Sequence, residues 1–424
     1  MNEDFLQFVW NFKLFYTNNL QTTTGEDIEI ISTGVKNKDS GPDFYDAKIR
    51  IGNTVWAGTV EIHCKSSDWN KHKHQKDKAY NNVILHVVEK YDFPTEQNGE
   101  LIPTLEISFP ESIKQRYLEL SASNSNIPCS NYISQIDRFK IGFWLSRLST
   151  ERLERKANEI HLLLDETISD FEEVFHLTLF KYFGFKTNSL PFELLARSLP
   201  LSLLRKYCHS LTSLEALLFG QSGFLDADLG DLYFKELQTE YAFLKSKHNL
   251  NALDSSIWKF SKLRPPNFPT IRLAQIATLL HNNHNLWKEL MEAANINYVR
   301  KIFDISASGY WSNHYVFGKE AANNHSKKLG ENAIDSLIIN ALSPLLFAYS
   351  LYKGNELIKE KAIGFLEKMK VEKNSAISEW ENVGIKPTNA FESQALIHLK
   401  SHYCNKRKCL NCSIGNNIMK NIIA

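Results

Sequence analysis

The sequence predicts an α/β domain followed by a larger all-α domain with a Cys-rich C-terminal tail. Three observations predict it. Over the first ~110 residues, short apolar runs alternate with clusters of Gly, Asn and Asp, the texture of strands and turns. From about residue 135 onward apolar residues recur at helical spacing, punctuated by proline-containing breaks. Three of the six cysteines, Cys404, Cys409 and Cys412, then crowd near the C-terminus.

The first element is a helix over 1–16, because Phe5, Phe8, Val9, Phe12 and Phe15 recur at spacings of three and four. Strands are expected over 28–32, 44–51, 54–64, 83–88 and 104–109. Gly52-Asn53 folds the second of these back on the third. Residues 68–82 between the third and fourth runs are polar and expected helical, with Asp68 as N-cap. The order is α-β-β-β-α-β plus one further strand. Helices are then expected over 138–165, 170–183, 213–219, 231–247, 270–281 and 333–352. The division is 1–120 for the α/β domain, 121–134 for a Ser/Asn-rich linker, 135–398 for the helical domain and 399–424 for the tail.

The 424 residues carry 49 basic and 48 acidic side chains, a net charge of +1, which excludes a uniformly basic coat but not a local basic face. No run of about 18 apolar residues is present, so no membrane span is expected. Met1-Asn-Glu-Asp-Phe has no basic region leading into an apolar stretch, so no signal peptide is expected and the chain reads as cytoplasmic. In that compartment, clustered cysteines suggest metal or redox chemistry.

The chemistry concentrates in two strands. Along 54–65, Glu61, His63 and Lys65 fall on one face and Val60, Ile62 and Cys64 on the other. Three ionisable groups on one face are costly unless that face is wet or holds a metal. Asp43 opens the preceding strand, so Asp43 and Glu61 can converge on one divalent cation. Two carboxylates with open positions suit Mg²⁺ or Mn²⁺. Lys65 or His63 can then activate water or stabilise developing charge. Asp68-Trp-Asn-Lys-His-Lys-His-Gln-Lys-Asp-Lys-Ala-Tyr80 supplies Lys71, Lys73, Lys76 and Lys78 as candidate phosphate contacts. On a helix His72 and His74 would not share a face, whereas His74 and Asp77 would. His86 reads as a satisfied core histidine, and Cys64 and Cys208 as buried apolar residues.

Pro42-Asp43, a strand pair, and Glu61-x-His63-x-Lys65 resemble the PD-(D/E)XK nuclease superfamily, which has the same element order. The resemblance implies a restriction-endonuclease-like core, a divalent cation on Asp43 and Glu61, and hydrolysis of phosphodiester bonds in nucleic acid, DNA ahead of RNA. It also offers Glu3 or Asp4 as a further acid from the first helix. The chain departs from the pattern in one respect. His63 stands where the superfamily has Lys, and the Lys lies two residues on, at Lys65. Asn37-Lys-Asp-Ser-Gly-Pro-Asp-Phe44, Val60-Glu-Ile-His63 and Ser67-Asp-Trp-Asn-Lys-His-Lys-His74 are also similar to an uncharacterised bacterial domain-of-unknown-function family.

Cys404-x4-Cys409-x2-Cys412 brings three thiolates into one short loop, a bite suited to zinc, with an iron–sulfur cluster second. His398, His402 and Cys129 are the candidates for a fourth ligand. The expected function is thus a metal-dependent nuclease-like protein. The alternatives are an inactive nucleic-acid-binding module of the same fold, favoured by the displaced Lys, and a transition-metal hydrolase using Glu61, His63, His74 and Asp77.

Overall fold

The computed structural model describes residues 2–421; Met1 of the expected first helix and 422–424 of the expected tail lie outside them. The protein is mixed α/β, with a sheet near the N-terminus and helices beyond it. It forms two compact units. One comprises 1–145, 374–386 and 396–424, and the other 146–373 and 387–395.

In the first unit, α1 (Glu3–Asn11) is capped by Asn2, whose side chain accepts from the Phe5 N–H. It is shorter than the periodicity predicts, because Lys13 turns into the left-handed region at φ 50°. The strands follow in order: β1 (Ile28–Ser32), β2 (Val35–Lys36), β3 (Phe44–Ile51) and β4 (Thr54–Lys65). They are followed by β5 (Val83–Lys90), a small hairpin of β6 (Glu96–Gln97) and β7 (Glu100–Leu101), and β8 (Thr104–Glu106). The main sheet has the order β1-β3-β4-β5-β8. β1, β3 and β4 are antiparallel neighbours, whereas β4–β5 and β5–β8 are parallel. At Gly58 a Cβ would come within 2.5 Å of Ile84 Cγ2 and 2.7 Å of the Asn82 carbonyl, so only glycine lets β4 lie this close to the β5 entry.

The segment between β4 and β5 corrects the expectation of a helix over 68–82. It holds a four-residue helix, α2 (Asp68–Lys71), and then two 3-10 turns, His74–Lys76 and Lys78–Tyr80. Lys73 sits between them at φ 64° and breaks the helix. Asp68 is the first residue of α2, not its N-cap; its carboxylate instead accepts the Lys65 N–H at 3.1 Å. Trp69, Tyr80 and Ile102 pack as an apolar cluster beneath this segment.

The expected linker is not an open connection. The helix α3 (Glu111–Ala122) runs into it, and Ile127, Cys129 and Ile133 are buried. The second unit is helical around one large apolar core. Its expected helices are present with shifted ends: Asp170 and Asp231 cap the helices Phe171–Phe183 and Leu232–His248 through side-chain oxygens. Among the described residues one helix, Glu331–Lys353, is long and apolar enough to cross a membrane by length and composition, although polar residues such as Asp335, Ser336 and Asn340 interrupt it. Most of its apolar window is buried, as in a core helix.

Candidate metal centre

A preorganised loop delivers Asp43. The Asn37 side-chain amide donates to the Ser40 and Pro42 carbonyls, and its oxygen accepts the Asp39 N–H. Gly41 supplies the φ of 103° that the turn requires. β3 then pairs with β4 in the register Phe44↔Val60, which sets Asp43 opposite Glu61. The two are cross-linked: the Asp43 N–H donates to Glu61 Oε2 at 3.0 Å, and the Ile62 N–H donates to Asp43 Oδ2 at 3.1 Å. Gln7 of α1 donates to the other Asp43 oxygen at 2.6 Å. Glu3, one turn earlier on α1, also acts electrostatically on Asp43, Glu61 and His72. Burial pushes both Asp43 and Glu61 well above the ordinary carboxylate range, and the Asp43 charge raises Glu61 further. Two neighbouring carboxylates of this kind, Glu61 buried and Asp43 half-buried, favour a cation between or beside them.

The histidines supply the remainder. Glu61 Oε1 lies 3.3 Å from His74 Nε2 and 3.6 Å from His63 Nε2. His63, His72 and His74 form a triad whose ligand nitrogens all lie within 4.8 Å of one another. His74 Nε2 is buried with no hydrogen-bond partner. The tight turn makes this triad possible. On a helix His72 and His74 would diverge; with Lys73 left-handed, both turn back toward His63. The His74 ring stacks on Tyr80 at 3.9 Å, against the Trp69 cluster.

A buried relay fixes the proton on His63. The Thr104 hydroxyl donates to the Ile102 carbonyl at 3.1 Å, so its oxygen accepts from Thr95 at 3.3 Å. Thr95 therefore accepts from His86 Nδ1 at 3.2 Å, leaving His86 Nε2 without a proton. His63 Nδ1 must then donate to His86 Nε2, at 2.9 Å. Burial, the first cause in each case, lowers His63 to about 2, His86 to about 3 and His74 to about 4, so all three imidazoles are neutral near pH 7. The remaining lone pair, His63 Nε2, faces His72 Nδ1 at 3.2 Å and Glu61. Such outer hydrogen bonds orient a metal-ligating histidine. His86 is thus buried and satisfied, and it also holds His63.

The other expected residues lie elsewhere. Lys65 is exposed; its ammonium adds to the Ser67 N–H in holding Asp92 ionised. Lys71, Lys73, Lys76 and Lys78 are exposed around the turn that carries His72 and His74, and Lys71 pairs with Asp68 at 3.5 Å. Asp77 caps the Ala79 N–H. Cys64 is only half-buried, a correction to the apolar reading, because the end of β4 frays toward solvent. Cys404, Cys409 and Cys412 are buried free thiols, as is Cys129. Sequence reasoning missed Gln7, Thr95 and the Cys208/His209/His284 group, whose ligand atoms also lie within 4.8 Å of one another. Gln7 carries a signal in hindsight: it follows Glu3 by four residues, on the same helical face.

The fold and site define a mixed α/β protein with a buried carboxylate–imidazole cluster able to hold a metal ion. The chain belongs to the family described as "Protein of unknown function (DUF2851)", which matches residues 3–375. Comparison with the curated proteins and with the solved structures gave no match.

Proposed function

We propose that the N-terminal unit is a metal-dependent hydrolase of phosphodiester bonds, of the PD-(D/E)XK nuclease kind with a restriction-endonuclease-like core, acting on nucleic acid in the cytoplasm. The observation that carries this reading is Glu61 Oε1 lying within 3.6 Å of both His74 Nε2 and His63 Nε2, with Asp43 bonded at the other carboxylate oxygen. Mixed imidazole and carboxylate ligands favour Mn²⁺ or Zn²⁺ over Mg²⁺, which prefers oxygen. His63, His74 and Glu61 would hold the ion, with His72 at its exposed side. A metal at this position supplies an activated water and charge stabilisation at the phosphate. Asp43, held short of full ionisation by burial, stands beside Glu61 to accept the water proton. The attacking oxygen then bonds to phosphorus as the ester P–O bond breaks. The exposed lysines 71, 73, 76 and 78 supply the electrostatic contact with the backbone, DNA ahead of RNA, and the helical unit extends that grip. The tail cysteines hold a separate structural metal, zinc in the simplest reading.

A second reading, a binding module that has lost hydrolysis, is favoured by the displacement of the lysine to Lys65, which is exposed. Plasmid nicking and oligonucleotide cleavage with Mn²⁺, Zn²⁺, Mg²⁺ and chelator separate the two. Cleavage dependent on Mn²⁺ or Zn²⁺ and lost in Glu61→Gln supports the hydrolase. Retained binding in a mobility-shift assay with no cleavage under any metal supports the module.

A further inference from the structure

We infer that Cys129 completes a four-cysteine metal centre with Cys404, Cys409 and Cys412, and that this centre fastens the C-terminal tail to the segment that follows α3. The inference deepens the reading of the tail as metal-binding and rests on it.

Three stretches of chain meet here. Cys129 immediately precedes the 3-10 turn Ser130–Gln135; Cys404 ends the π-turn Lys400–Cys404; Cys409 opens the turn Cys409–Asn411; and Cys412 caps the helix Ser413–Lys420. All four are at most 8% exposed and none is in a disulfide. Arg407 ties the stretches together, donating to the Cys404 carbonyl at 3.0 Å and to the Ser123 carbonyl at 2.5 Å. At Gly415 a Cβ would come within 2.2 Å of the Cys409 carbonyl, so only glycine allows the last helix to start this close to the Cys409 turn.

The chemistry of the pocket is that of an unfilled thiolate site. The charges of Cys412, Cys404 and Cys409 all act on Cys129, adding to the effect of burial. Burial likewise comes first at Cys404 and Cys409, followed by the neighbouring thiols, and pushes Cys409 up to about 11. At Cys412 the backbone N–H groups of Gly415 and Ile414 point at the sulfur and favour the thiolate. Four thiolates around a dication leave a charge of −2, which Arg407 and Lys400 face. His402 is engaged otherwise: its Nδ1 contacts the Ser401 hydroxyl at 2.8 Å and its ring stacks on His398 at 4.2 Å. The four sulfurs are set wider than the two triads whose ligand atoms lie within 4.8 Å. A single zinc, with Zn–S near ~2.3 Å, would have to draw them to about 3.8 Å apart. An iron–sulfur cluster would fill a wider cage.

The test uses the full chain, purified without air, with metal, acid-labile sulfide and titratable thiols measured per chain. One zinc or one iron–sulfur cluster is expected in the parent protein. Cys129→Ser and Cys409→Ser should each retain at least about tenfold less metal, while His398→Gln and His402→Gln retain it fully. Loss in Cys409→Ser with full retention in Cys129→Ser would overturn this inference and leave the tail reading standing. A parent protein with no metal and four freely titrating thiols would overturn both. Should Cys129→Ser fail to fold, cobalt substitution into the parent protein decides: charge-transfer intensity for four thiolates supports the inference, and intensity for three overturns it.

Discussion

Nδ1 of His63 lies 2.9 Å from Nε2 of His86, and this one contact determines which nitrogen of His63 is available for chemistry. Because His86 passes its own proton to Thr95, it can only accept from His63. The His63 Nε2 lone pair is thereby directed at Glu61, His72 and His74. A residue with no direct part in the cluster thus sets the tautomer of one that has.

Replacement of His86 by Phe, or of Thr95 by Val, should weaken Mn²⁺ or Zn²⁺ binding by about 10- to 100-fold with the ligand residues intact, the usual cost of losing an outer-shell partner. Calorimetric titration of the two variants checks this. Unaltered affinity in both would remove the relay from the account.

Glu61→Ala should abolish divalent binding, whereas Asp43→Ala, which removes the proposed proton acceptor and not a ligand, should keep it. Both should also raise stability in metal-free buffer, since removing one of two adjacent buried carboxylates relieves the repulsion that raises Glu61. Mn²⁺ titration and denaturant unfolding measured on the same preparations test the two halves together. An Asp43→Ala protein that no longer binds metal would make Asp43 a ligand and overturn its proton-accepting role.

In the proposed site His63 is a metal ligand and Lys65 is exposed. His63→Gln should weaken metal binding, and any cleavage with it, by at least about 10- to 100-fold, the usual cost of losing even an outer-shell partner, whereas Lys65→Met should leave the rate within a few-fold. A strong loss in Lys65→Met would mean that its exposed side chain swings in when substrate binds.

Stability should depend on pH with a sign fixed by the shifts. The folded state holds protons on Asp43 and Glu61 that the unfolded chain has already released, because both are raised. Their contribution is therefore present at low pH and lost as pH rises. His63, His74 and His86 are lowered from 6.5, so their contribution is present above that value and lost as pH falls. Of these five groups only Glu61, raised to about 9, still contributes between about pH 7 and 9, and there metal-free protein should lose stability. Denaturant midpoints across the alkaline range test this: Glu61→Gln should flatten the fall, and saturating Mn²⁺ should reverse it.

Much of the sheet was legible from the sequence because period-two apolar runs and Gly52-Asn53 are local signals. β3 and β5 fall on or within two residues of the runs that predicted them. The convergence of Asp43 and Glu61 was legible too, since a hairpin register follows from its turn. The histidine triad was not. It depends on Lys73 adopting φ 64°, a conformation rare outside Gly and Asn, in a stretch whose polarity resembles an exposed helix. The role of His86 was hidden for a different reason. It bonds Thr95 in the loop after β5, and Thr95 bonds Thr104 on the parallel neighbour β8, a pairing that follows from the crossover rather than from any local pattern. Lys65 was misjudged because strand alternation gives a face but not a depth: β4 carries Glu61 and His63 inside and runs into solvent by residue 65.

The most direct measurement of the central claim is the anomalous-scattering map of a crystal soaked in Mn²⁺ and, separately, in Zn²⁺. The account predicts a peak, apart from any at the tail cysteines, at about 2.0–2.2 Å from His63 Nε2, His74 Nε2 and a Glu61 oxygen. A peak held by Asp43 and Glu61 with no histidine, or no peak among these residues at saturating metal, would contradict it.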